Sequence, residues 1–105
     1  MHHAPSDKIP VMVTMTLPAD WPRALAEVIP AQRDMVNRLL AEGVVQSYSV
    51  SADRTTVWMV MVVDDAAAAV DVALSGFPIL AFADYEWEPL LFTNDSSSVM
   101  HYSLN

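Results

Sequence analysis

The segment VVQSYSVSADRTTVWMVMVV, residues 44–63, decides the fold. Its second half, TTVWMVMVV (55–63), is dense in β-branched and aromatic residues and is the clearest strand in the chain. Its first half, VVQSYSVS (44–51), reads as another strand. Only Ala52-Asp53-Arg54 lies between them, which makes the pair an antiparallel hairpin. What surrounds a hairpin then determines the architecture.

Upstream, Leu25, Val28, Ile29, Met35, Val36, Leu39 and Leu40 recur at helical spacing, and Gly43 supplies the stop. This predicts a helix from Arg23 to Glu42, with Asp20 as its N-cap and Pro22 in its first turn. Pro30 lacks a backbone donor and is expected to kink or split that helix. Before it, IPVMVTMTL (9–17) reads as a strand closed by Pro18. Downstream, Asp64 and Asp65 are expected to cap a helix running through AAAAVDVAL, ended by Ser75-Gly76. Phe77-Pro78-Ile79-Leu80 reads as a bridging loop, and a last strand follows within AFADYEWEPLLF (81–92).

The order β-α-β-β-α-β is the ferredoxin-like plan: an α+β fold whose four-stranded antiparallel sheet carries both helices on one face. The chain reads as a single domain over 1–105, with its core at about 9–92 and a tail at 93–105. Within the tail, TNDSSS is a linker by composition, and VMHYSLN is a short apolar patch able to dock on a neighbour.

A sheet with helices on one face should alternate apolar and polar residues. The strand at 55–63 does not. One parity carries Val57, Met59, Met61 and Val63; the other carries Thr56, Trp58, Val60 and Val62. The first strand repeats this, with Val11, Val13 and Met15 against Met12, Thr14 and Thr16. A second copy packed sheet to sheet would cover the spare face, giving a dimeric α+β barrel with a cavity between sheet and helices or between the two sheets. The alternative is that Trp58 and Val60 form an exposed patch or pack under the tail.

Composition narrows the function. The chain has 105 residues, 53% of them apolar and 17% charged, enough for one hydrophobic core. Thirteen acids against five basic residues give a formal net charge of −8, so the surface repels phosphate backbones and nucleic acid is not an expected partner. Cysteine is absent, which removes disulfides and thiolate chemistry. No signal-peptide core and no membrane-length apolar run is present, so a soluble, cytoplasmic protein is expected, with no membrane partner.

No strong chemical motif stands out. The histidines (His2, His3, His101) lie at the chain ends without metal-ligand spacing, and no metal site is expected. Gly43 and Gly76, the two glycines, sit at helix ends, so no phosphate-cradling loop exists. What remains is carboxylates, arginines and aromatics. On the last strand Asp84, Glu86 and Glu88 share one face and Tyr85 and Trp87 the other. Glu86 is the candidate general acid/base; the plainer reading of these acids is a solvated face, or pairing to Arg33 or Arg38. Arg33 is a candidate grip for a substrate carboxylate. Tyr48 and Trp58 are candidates to line a pocket, each with a polar handle, or simply core aromatics.

The run LLAEGVVQSYSVSADRTTVWMVMVV, the Ala-rich helix, and SGFPILAFADYEWEPL together resemble muconolactone isomerase and its relatives. Phe77-Pro78-Ile79-Leu80 stands for that family's Leu-Pro-Leu-Phe segment, and Glu86-Trp87-Glu88-Pro89-Leu90 for its closing Glu-Val-Thr-Pro-Leu. The resemblance spans roughly 9–92. It implies a dimeric α+β barrel, often built into larger rings, and a cofactor-free isomerisation that moves a proton between carbons of a small unsaturated lactone acid. Where family members carry polar and basic residues on the first strand and the hairpin, this chain has MVTMT and QSYSVS. The expectation is therefore a homodimer or higher homo-oligomer that takes a small apolar or lactone-like ligand and needs no cofactor. The alternatives are a non-catalytic ligand-binding or assembly module, or a cofactor-free monooxygenase on the same barrel.

Overall fold

The structure, a computed structural model, describes residues 7–94. His2, His3, His101 and the VMHYSLN patch lie outside the described residues. The elements are β1 (Lys8–Thr16), α1 (Arg23–Glu42), β2 (Val45–Val50), β3 (Thr56–Asp64), α2 (Ala69–Leu74) and β4 (Asp84–Pro89), with a 3-10 turn at Pro78–Ala81. The sheet is antiparallel in the order β2-β3-β1-β4. Each helical crossover thus skips one strand, which is the ferredoxin-like plan read from the sequence.

Strand parity fixes the layers. Val11, Val13 and Met15 of β1 and Val57, Met59, Met61 and Val63 of β3 are all buried, in one cluster with Leu25 and Val36 of α1 and Val70 and Leu74 of α2. Both helices therefore cover this face. Registers of β1 with β3 and β4 carry Thr14 beside Trp58 and Glu86, and Met12 beside Val60 and Glu88, on the other, open face. Trp58 there is 44% exposed while Val60 is 7% exposed. The open face is only half dry.

Three local expectations change. The residue flanking the start of α1 is Pro22, in extended conformation and with no side-chain cap, so Asp20 does not cap it. Proline is pre-organised to enter a helix. Pro30 does not split α1, which runs unbroken for 20 residues. Both Pro30 and Ala26, whose carbonyl loses its partner, are exposed, so solvent satisfies that carbonyl. The second helix starts at Ala69 rather than just after the two aspartates. Asp64 instead ends β3 and pairs with Lys8 at 3.0 Å, and the Asp65 N–H bonds to the Asp7 carbonyl. The β1–β3 ladder outcompetes the helix for those residues.

The end of α1 follows its sequence signal. Gly43 adopts φ 79°, its N–H bonds to Leu40 O at 3.2 Å, and the Val44 N–H bonds to Leu39 O at 3.0 Å. This left-handed stop lets the chain reverse directly into β2. Replacing Pro30 restores the missing helix bond at an exposed site. Pro30→Ala is expected to stabilise the fold by about 1–3 kcal/mol, seen as a higher melting temperature with an unchanged circular dichroism spectrum.

Candidate functional site

The chamber under α1 begins with an irregularity in β2. Val45 pairs with Met61 but Ser47 pairs with Val60, so β2 holds one extra residue, Gln46, at a bulge. Strict alternation from Val45 would turn Tyr48 to the open face. The bulge re-phases the strand, and Tyr48 pairs with Met59 on the helix-covered side.

Tyr48 thereby meets α1. Leu25, Ile29, Gln32, Val36 and Leu39 follow the inward stripe of that helix, and Gln32 is its one polar member. Gln32 is 3% exposed, the one buried polar or charged residue among those described. Its Oε1 accepts from the Ile79 N–H at 3.3 Å, and its Nε2 donates to Tyr48 Oη at 3.4 Å. The 3-10 turn is what brings Ile79 close enough to do this. Burial pushes the Tyr48 hydroxyl up in pKa, against a smaller opposing effect of the Gln32 bond, so it stays protonated.

These groups bound a cavity of about 360 Å3 whose walls include Ile29, Val36, Leu40 and Val50, with Arg33 and Asn37 at its rim. Trp21 closes one end. Its indole N–H donates to the Arg54 carbonyl at 3.0 Å, and the Arg54 guanidinium lies 5.4 Å from the ring centroid. The hairpin turn carrying Arg54 is itself braced: Asp53 accepts from the Ser51 and Thr55 hydroxyls and the Thr55 N–H. Those bonds, Ser51 foremost, hold the Asp53 carboxyl below the usual aspartate range.

Of the four residues singled out in the sequence, Tyr48 and Arg33 line this chamber together. Trp58 and Glu86 do not. Both sit on the open face, in the row Ser49, Trp58, Thr14, Glu86 that crosses the whole sheet. Tyr48 and Trp58 therefore cannot shape one pocket within a chain; the sheet separates them. Glu86 instead borders a cavity of about 200 Å3 with Met12, Thr14, Trp87 and Glu88. The acids of β4 also have no partner in Arg33 or Arg38, because those arginines ride on α1, across the sheet. Among the described residues the ion pairs are Lys8–Asp64 and Arg23–Glu27.

A wider depression of about 440 Å3 between β3 and α2 has only Lys8 and Asp64 as charged groups. They are spent on each other. Tyr85, on the helix side of β4, donates its hydroxyl to Asp71 of α2, and that bond raises the tyrosine's pKa. It ties the strand to the helix rather than forming a site. Gln32 and Trp21 were not singled out from the sequence. The signal for Gln32 was present, as a lone polar residue at a position where the helical stripe calls for an apolar one.

With this geometry in view, the chain superposes on a crystal structure of muconolactone isomerase at 3.3 Å resolution with a TM-score of 0.61, covering 83% of this chain and 99% of that one. The chain has the muconolactone isomerase fold. At 23% identity the likeness is one of fold, and it agrees with the element order. Comparison of the sequence with family models finds no match, and neither does comparison with curated proteins. Within this fold the chamber has apolar walls, a buried amide, a protonated phenol and a cation at the rim. No helix among the described residues is long and apolar enough to cross a membrane.

Proposed function

We propose that the protein is a homodimeric α+β barrel that binds a small, largely apolar metabolite in the chamber between α1 and β2. The observation that carries this reading is the chamber itself: about 360 Å3, walled by aliphatic side chains, with the Gln32–Tyr48 pair and Arg33 as its convergent polar groups. That size and mix is what small-molecule sites have. Arg33 is suited to grip a carboxylate on the ligand. Among the described residues no carboxylate or histidine lines the chamber, so its chemistry favours holding a ligand over moving a proton.

A second reading keeps catalysis and rests on the placement of Glu86. The cavity it borders lies on the open face, where a second sheet would enclose it. There Glu86 is the general acid/base of a cofactor-free lactone isomerisation. α-Angelica lactone tests both readings, since its conversion to the conjugated isomer takes a proton from the carbon beside the carbonyl and returns one to the methyl-bearing carbon. Binding without conversion, read as NMR shifts at Leu40 and Val50, is the result expected for the first reading. Conversion faster than in buffer, abolished in Glu86→Gln with the fold intact, is the result expected for the second. Turnover unchanged in Glu86→Gln removes that glutamate from the chemistry.

A further inference from the structure

The direction of each hydrogen bond at Gln32 has a consequence for what the chamber accepts. The Ile79 N–H can only donate, so it takes the Gln32 carbonyl oxygen, at 3.3 Å. That fixes the amide's other end, and Nε2 must then donate to Tyr48 Oη, at 3.4 Å. A phenol oxygen that accepts along one direction keeps one hydrogen, and that hydrogen cannot point back at an N–H. It is left for the chamber, whose wall Tyr48 forms. Among the described residues nothing inside takes it up. The other polar groups of the lining are the Trp21 N–H, committed to the Arg54 carbonyl, the Arg33 guanidinium, which only donates, and Asn37, exposed at the rim.

We propose that Gln32 is a positioning residue that makes Tyr48 a one-way hydrogen-bond donor, so that the chamber selects apolar ligands bearing a carbonyl-type oxygen over their hydrocarbon isosteres. This rests on the ligand-binding reading of the same chamber. Burial, which keeps the phenol protonated, acts in the same sense. An apolar molecule without an acceptor covers the half-buried hydroxyl and leaves its hydrogen unmatched, and that mismatch is the source of the selectivity. The specificity is thus set from behind, by a backbone N–H of the 3-10 turn acting through one amide.

The test uses two probes of nearly equal shape, acetophenone and α-methylstyrene, in which a C=O is exchanged for C=CH2. Titrations of the full chain are followed by NMR at Leu40 and Val50. The expected result is about five- to tenfold tighter binding of acetophenone. Tyr48→Phe is expected to bring the two affinities together. Gln32→Glu, read at pH 8.5, still accepts from Ile79 but now also accepts from the Tyr48 hydroxyl. It turns that hydrogen away from the chamber and is expected to erase the preference with Tyr48 still in place, which loss of packing alone would not do. Equal wild-type affinities overturn the inference and leave ligand binding standing. So does a wild-type preference retained in either folded variant. Neither probe shifting the chamber residues overturns the ligand-binding reading, and this inference with it.

Discussion

Met59→Ala is expected to lower the free energy of unfolding by about 2–5 kcal/mol, seen as a lower urea midpoint with little change in slope. Met59 is 0% exposed. It lies on β3, flanked by β2 and β1, beside Tyr48 on one strand and Val13 on the other. A strand held on both edges and covered by helices has little freedom to collapse around a deletion, so the vacated volume persists as a cavity. For a domain whose whole stability is about 5–15 kcal/mol, the loss is a large fraction. It should also loosen the chamber, since Tyr48 is the lateral neighbour of Met59. A loss below about 1 kcal/mol would mean that the helix-covered face is not the one assigned here.

That face was legible in the sequence because its parity is unbroken: Val11, Val13 and Met15 on β1, and Val57, Met59, Met61 and Val63 on β3, are all apolar and all buried. The hairpin, the stop at Gly43 and the order of elements were legible for the same reason, as each rests on local chemistry. The site was harder. Tyr48 changes side because of one extra residue in β2, and a bulge at Gln46 has no local signature in VVQSYSV. Gln32 gains its meaning from Ile79, 47 residues away, a relation no window along the chain contains. Asp64 and Asp65 carried a fair helix-capping signal, but Lys8 of β1 and Asp7 just before it claimed them. Where long-range pairing competes with a local preference, the local reading fails.

The open face gives the second large effect. Trp58→Asp is expected to weaken self-association by at least about 30-fold, reducing the solution mass to that of one chain, 11.6 kDa, at micromolar concentration. Trp58 stands mid-sheet on β3 with 44% of its surface exposed. Its register neighbours are Ser49 and Thr14, and Met12 and Val60 occupy the next row. A large aromatic at the centre of a partly apolar patch is the kind of residue that dominates an interface, and burying a carboxylate there is costly. The same variant should cost little within the single chain, because Trp58 does not belong to the buried cluster. Val72→Asp provides the contrast. Val72 is 69% exposed but lies on α2, on the far side of the sheet from Trp58, and its replacement is expected to leave the solution mass as it is in the wild type. The melting temperature of the wild type should rise with protein concentration, and that of Trp58→Asp should not. A wild type that remains a single chain at 100-fold higher concentration, or a Trp58→Asp variant with undiminished mass, would show that the open face is not the surface on which two copies meet.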